Sequence, residues 1–278
     1  MTEEQVKSES KLVFELIKDL LLLPYVIVMV LFRKKEASEL FIPLKRIIAF
    51  IFEPKFTITI IALNILVYII VNIVMFNTGT LNIQVLENYF WHSNYLFELK
   101  LQYMFSSMFL HTSLSHLLGN MLFLFILGRV VERRLGAVRT AIVYFGAGVL
   151  ALVFNSLIYV FIFDTITIGL GASGAISGIG AAALLLEPLY LTYLVLGIPI
   201  PIVIVVLLQI YSDLTGMFNP LSGIGHFAHI GGYLSIIGMM FLFKKEERKD
   251  MKKGLIISLA TIVLVIVIYF LLTKSKVF

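Results

Sequence analysis

Gly171-Ala172-Ser173-Gly174-Ala175-Ile176-Ser177-Gly178 follows a short polar loop and opens a run of small and apolar residues reaching Leu186. A serine between glycines at a loop-to-helix junction can present its hydroxyl with the backbone pressed close to a bound group. A helix starting there also offers unpaired N–H groups to a developing negative charge. The competing explanation is packing: small residues four apart let two membrane helices approach closely. The rest of the chain decides between the two.

The 278 residues are 60% hydrophobic and 14% charged, with a mean hydropathy of +1.00. A soluble chain is about half apolar and a quarter charged, so this one belongs in a bilayer. There are no cysteines, which removes a disulfide framework, a thiolate nucleophile and a cysteine–zinc site. The net charge of +5 is not read as a nucleic-acid signature, because the basic residues lie beside apolar spans, where charge sets orientation.

Outward from Ser173, the pattern predicts an all-α membrane protein. Spans are expected at Phe56–Phe76, Ser113–Val131, Ala141–Phe163, Ser173–Leu186, Leu189–Ile210 and Phe227–Phe243, with a seventh at Leu255–Leu272. Pro199 and Pro201 should kink or loosen the fifth. Before the first span, the apolar run Leu20–Phe32 is too short to cross a bilayer and reads as interfacial or re-entrant. No small-residue cleavage site follows it, so a signal peptide is not expected. The aromatic-rich loop Asn77–Tyr103, with Trp91, suits a membrane surface. The expected organisation is an N-terminal segment 1–53, a six-span core 54–243, and a basic linker with the seventh helix, 244–278.

Three basic groups share one side if the spans alternate: six residues in Arg33–Lys55, four in Arg129–Arg139 and six in Lys244–Lys253. The opposite loops hold Lys100, with Lys274 and Lys276 at the tail. The positive-inside rule then puts the basic loops and the N-terminal region in the cytoplasm and the C-terminus outside, for a multi-pass protein of the cell membrane.

Polar side chains inside spans are costly and point to function. His116 and Asn120 begin the second span, Asn155 lies in the third, Ser173 and Ser177 in the fourth, and His226 and His229 open the sixth. Asp164 and Asp213 fall in expected loops, which leaves no aspartate pair for an aspartyl protease and no carboxylate to orient a histidine. No His-Glu-x-x-His motif is present, so neither a metal nor a cofactor is expected. Spans two, four and six run in the same direction. Ser173 lies fourteen residues before Glu187, His229 fifteen before Lys244 and His116 thirteen before Arg129. At 1.5 Å per residue these are about 21, 22 and 20 Å, one common level roughly 10 Å below the outer surface.

At that level Ser173 can serve as nucleophile and His229 as the base that takes its proton and returns it to the leaving amine. His116 and Asn120, with the Ser173 N–H, would donate to the oxyanion. Without a carboxylate this would be a dyad. Gly171 and Gly174 support it: Gly174 flanks the nucleophile, and Gly171 can shape the oxyanion loop. His111 is expected near the interface, and His226 in contact with solvent.

These residues resemble the rhomboid family of intramembrane serine proteases. The resemblance rests on Gly171-Ala172-Ser173-Gly174, on Ala228-His229-Ile230-Gly231-Gly232, on His111, His116 and Asn120, and on Glu132-Arg133-Arg134-Leu135-Gly136. It covers about Phe56 to Phe243. It implies cleavage, near the outer face, of transmembrane segments of other proteins, usually single-span ones. The partners would be those substrates and membrane lipid, with no nucleic acid. It also implies that span five and the loop after it gate the site. Ser177 departs from the pattern, since some relatives place an aromatic ring there against the histidine; His229 is then held differently. Ile236 stands where a second Gly of a Gly-xxx-Gly pattern is common, so Gly231 and Ser235 are expected to face Gly174 and Gly178. The rival class is a catalytically silent rhomboid-like protein that binds membrane clients. A transporter would need inverted repeats and mid-bilayer charges, which the sequence lacks.

Overall fold

The computed structural model describes residues 3–77, 89–192, 199–219 and 222–274. The chain is mostly helical. α1 (Glu3–Leu31) and α2 (Ile42–Phe52) precede α3 (Lys55–Asn77). A short α4 (Gln102–Ser107) leads into α5 (Leu114–Leu135) and α6 (Ala137–Phe161). α7 (Ser173–Leu186), α8 (Ile202–Gly216), α9 (His226–Gly238) and α10 (Lys245–Lys274) complete the order.

Among the described residues, four helices are long and apolar enough to cross a membrane: Lys55–Ile73 within α3, then α5, α6, and Lys245–Leu272 within α10. α7 and α8 are apolar but shorter. α7 needs no lipid-facing length of its own, because nearly every residue from Gly174 to Leu186 is buried against other helices. It packs between α5, α6 and α9, so the Ser173 helix is the axis of the bundle. α10 lies across its far end, with Gly254 over the Leu185 carbonyl.

The expected fifth span is displaced. Residues 193–198 lie outside the description, and on either side the two-residue strand Leu191–Thr192 pairs antiparallel with Ile200–Pro201. The helix begins at Ile202, with Pro201 as its N-cap, so the prolines start the helix rather than kink it. It therefore runs on to Gly216 and carries Asp213 with it. The expectation that Asp213 lies in a loop is thus overturned: it is helical and 4% exposed.

In the aromatic loop before α4, Trp91 departs from the membrane-surface expectation, while Tyr89 and Phe97 are exposed. Trp91 is fully buried with Met104 and Leu152, and its indole N–H donates to Ser156 Oγ at 3.0 Å. The strand Trp91–His92 pairs antiparallel with Ile168–Gly169, the loop just ahead of Ser173. This plug fixes the approach to the serine.

At the opposite end, the Glu132 carboxylate caps α3. It accepts from Phe56 N at 2.8 Å, Thr57 N at 2.9 Å and Thr57 Oγ1 at 2.8 Å, which satisfies donors a helix start leaves free. Arg129 and Arg133 both reach Glu53, Arg134 pairs with Asp250, and Arg139 with Glu247. The basic segment read from sequence as a topology signal is therefore also an ion-pair network joining α2, α5, α6 and α10.

Candidate active site

Ser173 is the first residue of α7, and the loop ahead of it is tied down by Gly171 N donating to Ser107 O at 2.8 Å. Gly171 has φ +97°, a conformation L side chains rarely adopt. A Cβ there would sit 2.8 Å from both Cε1 and Nε2 of His116 and 3.5 Å from Asn120 Nδ2. The bare backbone of Gly171 thus lets His116 and Asn120, one turn apart on α5, close on the start of α7.

Both donors are held from behind. Ser113 caps α5 by accepting from His116 N at 3.1 Å, and the Thr112 hydroxyl lies 3.4 Å from His116 Nδ1. Asn120 Nδ2 donates to His111 Nε2 at 2.9 Å. His111 is buried, at 9% exposure. Burial first, and then the nearby His116, push its pKa down to about 4, so at neutral pH its Nε2 is a bare acceptor. That leaves Asn120 with a second amide hydrogen to offer.

His229 arrives on α9, and the contact that brings it is backbone to backbone. A Cβ on Gly232 would lie 2.2 Å from the Gly174 carbonyl oxygen and 2.9 Å from Ser177 Cβ, so nothing larger than glycine fits. Ser235 faces Gly178 as expected, but Gly231 does not face α7; it turns toward Ala151 and Phe154 of α6. Ser173 and His229 each sit one residue from this crossing, next to Gly174 and Ala228. No hydrogen bond joins Ser173 Oγ to His229 among the described residues. Such bonds are often long without substrate and tighten when it binds.

The imidazole has a partner that sequence reasoning missed. His229 Nδ1 donates to Asp213 Oδ1 at 2.7 Å, His226 Nδ1 donates to the same oxygen at 2.8 Å, and the Tyr233 hydroxyl donates to Oδ2 at 2.8 Å. The expectation that no carboxylate orients the histidine is corrected: α8 carries one into contact. His226, expected to meet solvent, is buried at 5% exposure. The signal that could have revealed this is the helix-start rule for Pro201, which shifts the helix and brings Asp213 inside it.

Asp213, His226 and His229 have ligand atoms within 4.8 Å of one another, a spacing a metal ion could also use. Here each Nδ1 is a hydrogen-bond donor to the carboxylate. The Asp213 carboxylate is thus satisfied by three donors, while His226 Nε2 has no hydrogen-bond partner.

A serine at a helix start, an imidazole and an amide side chain against its loop, and a histidine on the crossing helix thus converge on one end of α7. The family model of the rhomboid domain matches residues 98–246, which hold all of these groups. The chain belongs to the rhomboid family. It is 35% identical over 152 residues to rhomboid protease AarA of Providencia stuartii, covering 48% of this chain and 52% of that protein. RHOMBOID-like protein 4 and RHOMBOID-like protein 1 of Arabidopsis thaliana are 31% and 28% identical, covering 49% and 51% of this chain and 32% and 35% of theirs. This rhomboid protein thus spans about half the length of AarA and about a third of each plant relative.

Proposed function

We propose that this rhomboid protein is a serine endopeptidase that cleaves transmembrane segments of other membrane proteins near the outer face. Ser173 Oγ attacks the scissile carbonyl while His229 Nε2 takes its proton. The tetrahedral oxyanion is received by His116, Asn120 and the Ser173 N–H, and His229 then protonates the leaving amine. Water completes the cycle by hydrolysing the acyl-enzyme. Gly171 shapes the loop under the oxyanion, and Gly174 lets α9 close on the serine.

The observation that carries this reading is the seating of Gly171 against His116 and Asn120, two residues before Ser173. A protein that only binds clients needs neither Ser173 nor His229. We place six spans in the core, 54–243, with α7, α8 and α9 as its short members and α10 as a seventh. The basic face is cytoplasmic, and the substrates are helices that unwind locally at a small residue before the scissile bond.

The test is cleavage of a single-span reporter by the purified protein in liposomes. Wild type should release two fragments, and Ser173→Ala and His229→Ala should each release none, with Ser173→Ala retaining the wild-type melting temperature. Cleavage by Ser173→Ala at the wild-type rate would remove the proposal.

A further inference from the structure

Resting on the protease reading above, we infer that Asp213 is the positioning residue for His229. Its carboxylate holds the imidazole with Nδ1–H engaged and Nε2 bare, and stabilises the imidazolium that forms when His229 takes the Ser173 proton.

Three features separate this from a simple tie between α8 and α9. First, the bond is at 2.7 Å to Nδ1, the nitrogen remote from the one that must accept the serine proton, which fixes the productive tautomer. Second, the two histidines sharing Asp213 Oδ1 differ in access. His226 Nε2 is buried without a hydrogen-bond partner, whereas the His229 side chain is 15% exposed. His226 is thus confined to donating through Nδ1, and only His229 has a side open to the serine. Third, Asp213 is itself oriented: with Tyr233 on Oδ2 and His226 on Oδ1, its carboxylate cannot swing away from His229. The Tyr233 hydroxyl also lies within reach of Ser177, which bonds back to the Ser173 carbonyl at 2.9 Å. Position 177 thus belongs to the network that seats the base.

Protons balance without Asp213 changing state. The Ser173 proton moves to Nε2 as the Oγ–carbonyl bond forms, and it leaves on the amine as the C–N bond breaks. The Nδ1 proton stays where it is throughout. Among the described residues, the titratable groups facing His229 are Asp213 from α8, His226 and Tyr233 from α9, and His116 from α5, whose charge interacts with that of His229. α7 contributes only the serine hydroxyls.

The experiment is kcat and KM for a single-span reporter from about pH 5 to about pH 9, using the full chain in liposomes. Asp213→Asn should lower kcat by about 10²–10⁴-fold with KM within about twofold. Its acid limb should move to lower pH by about one pH unit or more, because the imidazolium has lost its anion. Tyr233→Phe, which removes only a hydroxyl, should move that limb the other way, because the carboxylate loses a competing donor. An Asp213→Asn enzyme with wild-type kcat and an unmoved limb would overturn the inference. If that variant does not fold, a Tyr233→Phe limb that stays put or moves down does so alone. Ser173→Ala runs alongside: cleavage there removes the protease reading itself, whereas an inactive Ser173→Ala beside an unaffected Asp213→Asn removes only the role of Asp213.

Discussion

Gly232 of α9 rides directly on the Gly174 carbonyl of α7, so close that a Cβ would stand 2.2 Å from that oxygen. Backbone cannot yield as the end of a flexible side chain can, so the two helices would have to part. Gly232→Ala should cost about 1–3 kcal/mol of stability and take His229 out of reach of Ser173. Melting in detergent and reporter cleavage would both read it, and a fully active, equally stable variant would mean the crossing is looser than described.

The proposed oxyanion donors predict a graded series. His116→Ala and Asn120→Ala should each lower kcat by about 10²-fold or more if they act on the transition state. His111→Ala removes the acceptor that orients the Asn120 amide and touches no substrate, so its loss should be smaller and fall on kcat rather than KM. Rates unchanged across all three would reduce these side chains to packing.

His111 also predicts a pH dependence of stability. Its pKa is lowered in the folded chain, from 6.5 to about 4, so the unfolded chain binds the proton more readily. The contribution is full above about pH 6.5 and is lost as pH falls toward about 4. Melting temperature should therefore fall over that window, and His111→Gln should flatten the decline relative to wild type. Parallel curves for the two proteins would contradict the assignment.

Glu132 should prove a stability residue. Removing its carboxylate in Glu132→Ala strands the Phe56 and Thr57 donors at the buried start of α3, which should cost about 2–4 kcal/mol. Thr57→Val gives up one of the three bonds and should cost about 1 kcal/mol. Thermal melts of both variants, ranked in the opposite order, would show that the cap is not what holds this helix.

Much of this was legible from residue type and spacing. Ser173–Leu186 runs where the small-residue pattern placed it, and the second expected span, from Ser113, begins where α5 does. His116, Asn120 and Gly171 come together because a two-residue step and a helical turn leave little choice. Asp213 was hidden by one misplaced boundary. An apolar run beginning at Leu189 looked like a span with prolines inside it, whereas proline lacks the N–H a helix interior needs and so starts the helix at its own C-terminal side. The burial of Trp91 was equally opaque: an aromatic suits a lipid interface and a core alike, and its Ser156 partner lies 65 residues away.

The central claim is that Ser173 is a nucleophile activated by His229. Covalent labelling with a serine-directed fluorophosphonate, located by peptide mass spectrometry, tests it most directly. The expected result is a single adduct on Ser173 in the wild-type protein that disappears in His229→Ala. A folded, reporter-cleaving protein that takes up no label at Ser173, or labels equally without His229, would contradict it.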